Sequence, residues 1–249
     1  MSSILSVESL TAGYGKISIV KDVTFEVQAG EIVTMIGING AGKSTLLKTV
    51  AGLLPIMQGN IFIEGKNLNE IPSKERAKKL AVLLTDKIHS DYMTVYDVIA
   101  TGRYAYTGNL GILSEEDQKK VEEAIELMNL TSMKEKLFDK LSDGQKQRVM
   151  LARAICQETK IIILDEPTSF LDIGYKIEIM SMLKNLASKG IAVLMTLHDL
   201  EIARQVSDSV ISIKNGCIHK IGSPEELLSD SYLCQLFDVD ENLYQKFYG

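Results

Sequence analysis

Ile32-Val33-Thr34-Met35-Ile36-Gly37-Ile38-Asn39-Gly40-Ala41-Gly42-Lys43-Ser44 decides the fold. Its first five residues form a short apolar run of strand length, and Ser44 to Val50 continues at helix-forming spacing, so the order is strand, loop, helix. The loop fits the pattern G-x-x-x-x-G-K-S in the context that gives that pattern its meaning. Glycines let the backbone turn tightly, so that N–H groups from Gly37, Asn39, Gly40, Ala41 and Gly42 and a helix N-terminus converge on phosphate oxygens. Lys43 adds positive charge near the β and γ phosphates of a nucleotide, and Ser44 offers a hydroxyl to magnesium, which prefers hard oxygen ligands.

Upstream, apolar alternation in Ile4 to Leu10 and Ile17 to Val27, interrupted by Gly13-Tyr14-Gly15, predicts antiparallel strands joined at a turn. A further hairpin is expected near Gln58 to Gly65. Residues 86 to 158 become helical and richer in charge; Ser114 before Glu115, Glu116 and Asp117 is an N-cap with an acidic first turn. Ile161 to Leu164 and Ile191 to Leu197 are unalternating apolar runs, the mark of strands buried on both faces of a parallel sheet, and Lys176 to Leu186 supplies the crossover helix between them. Asn215-Gly216 between two apolar runs predicts a two-residue hairpin, and the tail from Pro224 reads as helical and then irregular. The expectation is one α/β unit with a mainly parallel core sheet, an N-terminal antiparallel β-subdomain and an inserted helical subdomain. Residues 1–85 and 159–249 would form the core, and 86–158 the insertion.

Asp165-Glu166 follows the buried run Ile161 to Leu164, where functional loops of open parallel sheets gather. Beside a phosphate loop, Asp165 suits magnesium and Glu166 suits a general base that polarises an attacking water. Leu141-Ser142-Asp143-Gly144-Gln145 opens a helix with Ser142 as candidate N-cap; locally a well-capped helix explains it. Ser169-Phe170-Leu171-Asp172 follows the acidic pair, and His198 follows the next strand.

Taken in order, these motifs resemble those of the ATP-binding-cassette ATPases, P-loop NTPases with an LSGGQ-type signature, and the resemblance spans nearly the whole chain. It implies that ATP is sandwiched between the phosphate loop of one protomer and the signature of another, so a second copy of the chain, or a homologous subunit, completes each site. It further implies phosphate and magnesium contacts from Lys43, Ser44 and Thr45, catalysis by Glu166 as general base, with His198 contacting the γ-phosphate and holding Glu166, closure by Ser142, Gly144 and Gln145, and stacking of Tyr14 on adenine. ATP and Mg2+ are the implied cofactors. For His198, a satisfied core histidine is the rival reading.

Two positions depart from the family. No glutamine occurs between Gln58 and Gln118, where such ATPases place one that touches magnesium, and Asp86 stands at the end of that segment. Asp86 is accordingly a candidate magnesium ligand, its rival reading a plain turn residue. Asp143 occupies the place of the first signature glycine, and its side chain is expected to point away from nucleotide.

The stretch through Met93-Thr94-Val95 to Gly102-Arg103-Tyr104 is similar to importers of iron siderophores, haem and cobalamin, with Ala105 in place of the expected proline. That likeness makes Tyr92 to Tyr106 the candidate docking surface for an integral-membrane permease, which would work with an extracytoplasmic binding protein. The alternative is a soluble cassette of an assembly machine, such as iron–sulfur cluster biogenesis; a metabolic kinase would need neither the signature nor Asp165-Glu166.

Composition fits this picture. Among 249 residues, 45% are hydrophobic and 24% charged, ordinary globular usage, and a net charge of -6 argues against a nucleic-acid-coating or polybasic lipid-binding protein. No apolar run approaches the roughly 18 to 20 residues of a membrane span, so the chain is expected at the inner face of the membrane through its partner. Cys156, Cys217 and Cys234 are too dispersed for a disulfide framework or zinc cluster.

Overall fold

The computed structural model describes residues 3–84, 92–108 and 111–248. Strands β1 (Leu5–Tyr14) and β2 (Ile17–Val27) form an antiparallel hairpin closed by the pair Tyr14–Ile17. After β3 (Ile32–Ile36) and helix α1 (Lys43–Val50), β4 (Ile56–Ile63) returns to pair with β1, and the turn Glu64-Gly65 leads into β5 (Lys66–Asn67). The resulting sheet has the order β2-β1-β4-β5.

Helix α2 (Ser73–Ala77) precedes β6 (Leu80–Leu83). Helices α3 (Val95–Ala100), α4 (Glu115–Leu127) and α5 (Asp143–Cys156) follow and pack on one another through Val95, Ile99, Val121, Ile125, Val149 and Ala152. Helix α4 opens with the expected capping box, in which Ser114 and Asp117 satisfy each other's backbone N–H groups.

The second sheet gathers β7 (Ile161–Asp165), helix α6 (Ile173–Ser188), β8 (Ala192–Thr196), α7 (Leu200–Val206), β9 (Ser209–Lys214) and β10 (Cys217–Gly222), in the strand order β10-β9-β3-β8-β7-β6. All its pairs are parallel except β9–β10, whose turn residues Asn215 and Gly216 sit at φ 52° and 77° as a two-residue hairpin requires. The unalternating runs are explained by two cores, one on each face. Ile162, Leu164, Val193 and Met195 face the helices, while Ile161, Ile163, Ala192 and Leu194 face α1 and the antiparallel sheet. The C-terminal segment is more regular than its composition predicts: α8 (Pro224–Leu227), α9 (Asp230–Phe237) and α10 (Glu241–Tyr248) follow in succession. Ser223 caps α8, a left-handed Asp238 ends α9, and the Asp240 side chain accepts from Leu243 N–H, so short polar residues supply the punctuation.

Arg103 is buried rather than displayed. Its guanidinium donates to Asp117 at 2.9 Å, to the Cys156 carbonyl at 2.9 Å and to Glu158 at 3.0 Å, and lies 3.9 Å from the centre of the Tyr106 ring. Burial alone would raise the Asp117 carboxyl; hydrogen bonds from Ser114 and Arg103 hold it below the usual carboxylate range.

Candidate functional site

Strands β3, β8 and β7 are neighbours and run parallel, so the loops that follow them meet at one edge of the sheet. The loop after β3 is shaped by close approach. Gly37 has φ 151°, and a Cβ there would lie 2.3 Å from the Ile213 carbonyl; Gly42 has φ 102°, and a Cβ would lie 2.9 Å from Val20 Cγ2. Gly42 is also the N-cap of α1 and supplies no side-chain acceptor. Helices α3 to α8 instead close their N-termini with Thr94, Ser114, Ser142, Asp172, Asp199 and Ser223. The first-turn N–H groups of Lys43, Ser44 and Thr45 thus point from an uncapped helix end, which suits an anion.

Lys43 Nζ donates to the Gly37 and Ile38 carbonyls at 2.7 and 3.0 Å, bracing the loop from inside. Burial draws its ammonium below the usual lysine range, opposed by the nearby Glu166 and Asp165 carboxylates. Ala41 and Thr45 are buried beneath the loop, while Asn39, Gly40 and Ser44 are exposed on it.

Glu166 sits just past β7 in the left-handed region, φ 52°, a conformation that costs a non-glycine residue roughly 1–2 kcal/mol. Its surroundings hold it there. The Glu166 N–H donates to Thr196 Oγ1 at 2.9 Å, and its carbonyl accepts from Ser169 N–H at 3.1 Å and Gln147 Nε2 at 3.3 Å. Of its carboxylate oxygens, Oε2 accepts from the Ser169 hydroxyl at 3.1 Å and Oε1 lies 2.7 Å from His198 Nε2. The His198 side chain is 51% exposed, so it is not a core histidine. Asp165, by contrast, is 1% exposed and accepts the Thr196 hydroxyl at 2.7 Å.

Thr196 and Gln147 were not singled out by the sequence pattern. The available signal for Thr196 was a single hydroxyl in the otherwise apolar run from Ala192 to Leu197.

Tyr14 ends β1 half exposed, on the hairpin whose β2 arm presses on Gly42 through Ile19 and Val20. Ser142, Gly144 and Gln145 are not brought to the phosphate loop. They line a separate surface depression with Asp143, Phe170 and Tyr175. There Ser142 Oγ accepts from Gln145 N–H at 3.3 Å while Gln145 Oε1 accepts from Ser142 N–H at 3.0 Å. Gly144 has no room to spare, since a Cβ would meet the Phe170 carbonyl at 3.1 Å. Asp86 lies outside the described residues.

The donor set fits a magnesium nucleotide. Among the described residues no group of three or more His, Cys, Asp or Glu could hold a metal by itself. A hydroxyl at Ser44 and a carboxylate at Asp165 beside an uncapped helix end suit an ion that takes few protein ligands and completes its shell with phosphate oxygens and water.

Of the segment Tyr92 to Tyr106, Tyr92 is 90% and Tyr104 57% exposed, whereas Gly102, Arg103 and Ala105 are buried. Beside it, Leu53, Ala77, Val82, Leu84, Met150 and Arg153 line an open groove. No helix among the described residues is long and apolar enough to cross a membrane.

The ABC transporter family model matches residues 20–169. The chain is 41% identical over 247 residues to an ABC transporter ATP-binding protein of Methanocaldococcus jannaschii, covering 99% of this chain and 85% of that one. It is 35% identical to the iron(3+)-hydroxamate import ATP-binding protein of Bacillus subtilis, over 96% of this chain and 89% of that one. A dimeric ATP-binding cassette in a post-hydrolysis state, bound to ADP and Pi, superposes with a TM-score of 0.79 at 27% identity, covering 88% of this chain and 98% of that one. With its uncapped phosphate loop, paired carboxylates and matching relatives, the chain belongs to the ABC transporter ATP-binding family and is an ATPase of the P-loop ABC fold.

Proposed function

We propose that the chain is the ATP-hydrolysing motor of an importer for an iron-siderophore, haem or cobalamin-like chelate, working as a head-to-tail dimer that encloses two ATP molecules. The observation that carries the catalytic part is the Glu166–His198 contact of 2.7 Å between the loops after β7 and β8; strand β8 neighbours β3, which leads to Lys43. Glu166 takes the proton of the attacking water, whose oxygen bonds to the γ-phosphorus as the bond to the β–γ bridging oxygen breaks, leaving ADP and phosphate. His198 holds the Glu166 carboxylate and reaches the γ-phosphate; Lys43 and the loop N–H groups of Gly37, Asn39, Gly40, Ala41, Gly42, Ser44 and Thr45 hold the phosphates. Tyr14 stacks on the adenine ring. Ser44, Asp165 and Asp86 would hold magnesium, which when bound offsets negative charge on the phosphates.

Separation of Ser142, Gly144 and Gln145 from the phosphate loop supports a site completed by a second copy. Phe170, Ile173 and Ile177 add exposed apolar surface beside that depression, 75%, 67% and 61% exposed, the kind of patch that two-fold contacts cover. For the permease, the groove beside Leu53 and Met150, which also carries Arg76 and Arg153, together with exposed Tyr92 and Tyr104 offers a dock of mixed apolar and basic lining. The import label of the Bacillus subtilis relative favours this reading over a soluble assembly ATPase.

Cells lacking the chain are expected to lose uptake of a labelled ferric siderophore, haem or cobalamin, and to regain it with the parent sequence but not with Glu166→Gln. Unchanged uptake of all three, with the chain recovered in a soluble scaffold complex, would contradict the importer assignment.

A further inference from the structure

Thr196 occupies the last position of β8, directly opposite Asp165 in the parallel ladder. It is 1% exposed. Its hydroxyl has one proton to give and lone pairs to receive, and both capacities are used on consecutive residues of the neighbouring strand end: it donates to Asp165 Oδ1 at 2.7 Å and accepts the Glu166 N–H at 2.9 Å. The partners are a buried carboxylate and the backbone of a residue in the left-handed region, φ 52°. The other groups that hold Glu166, from Gln147, Ser169 and His198, reach its carbonyl or its carboxylate, so Thr196 is the side chain on its N–H. A valine has nearly the same shape but lacks the hydroxyl that makes both bonds.

We propose that Thr196 is a positioning residue for hydrolysis. One hydroxyl locks the Asp165 carboxylate to the Glu166 backbone, fixing the turn that aims the Glu166 side chain at His198 and at the water. Buried at the strand end, Thr196 acts through the two acids. The inference rests on the assignment of Glu166 as the base.

The test compares Thr196→Val, Thr196→Ser and Glu166→Gln. Thr196→Val is expected to lower kcat about 100-fold, the scale of a reacting group displaced by about 1 Å, while KM for ATP and the affinity for a fluorescent ATP analogue stay within about threefold of the parent. Thr196→Ser, which keeps the hydroxyl, is expected to recover kcat to within about threefold. A readout apart from turnover is the affinity of the ADP complex for Mn2+, measured by electron paramagnetic resonance; it weakens in Thr196→Val, where the Asp165 carboxylate has lost the bond from the Thr196 hydroxyl, and is restored in Thr196→Ser. Thermal melting monitors folding, and Thr196→Ala replaces the valine variant if that is not recovered folded.

Parent-like kcat in Thr196→Val, with Glu166→Gln inactive, would overturn the inference and leave the base assignment standing. Equal losses in the serine and valine variants would also overturn it, because the methyl group rather than the hydroxyl would then matter. Parent-like hydrolysis by Glu166→Gln would instead remove the base assignment itself.

Discussion

The N-termini of α1 and α5 are built from opposite materials. The first has a glycine cap with no side chain, a positive φ, and three first-turn N–H groups that no side chain closes, with Lys43 folded against the loop beneath them. The second has a complete capping box in which Ser142 and Gln145 satisfy each other. One end is prepared for an anion before any anion arrives. The other already meets part of its own hydrogen-bonding demand and keeps mainly the N–H groups of Asp143 and Gly144 and the Ser142 hydroxyl proton to offer. On the proposed function this asymmetry orders events: nucleotide commits to the phosphate loop of one protomer, and the signature of the partner joins afterwards.

That contrast can be broken most severely at Lys43. Lys43→Met should weaken ATP binding by about 100-fold, the value of a lost charge-assisted contact, as read by titration calorimetry; undiminished affinity would show that the uncapped helix end suffices alone. Ser142→Ala should act at the other end and differently. It is expected to cost about 1 kcal/mol of stability through the lost cap, to lower turnover about tenfold, and to leave the affinity of a single protomer for ATP unchanged. A loss of protomer affinity as large as that of Lys43→Met would erase the distinction between the two ends. The smallest effect is expected at Asp143, whose charge suits a free helix end but opposes a phosphate. Asp143→Asn should strengthen ATP-driven association about two- to fivefold, measured by sedimentation, and weaker association would mean that the acid contributes to closure.

Much of this site was legible because its chemistry is local. The strand-loop-helix context of Gly37 to Ser44, the Ser114 cap and the Asn215-Gly216 turn each depend on neighbours a few residues away, and each was placed correctly. The residues alone named Asp165, Glu166 and His198, and the family resemblance added that His198 holds Glu166, two side chains that meet at 2.7 Å; no short motif encodes the β7–β8 register that makes the contact and sets Asp165 opposite Thr196. Thr196 was hidden for the same reason. Arg103 lay in a segment read as a docking surface, and its burial against Asp117, Glu158 and Tyr106 follows from tertiary packing that no short motif encodes. The C-terminal helices were under-read because their caps are single short polar residues between weakly periodic segments.

The most direct test is light scattering on Glu166→Gln purified with and without ATP and Mg2+. With hydrolysis blocked and the phosphate loop intact, the mass of two chains is predicted with ATP and of one chain without it, and adding Ser142→Ala should reduce the dimer. A single-chain mass with ATP saturating the protein would contradict the head-to-tail dimer.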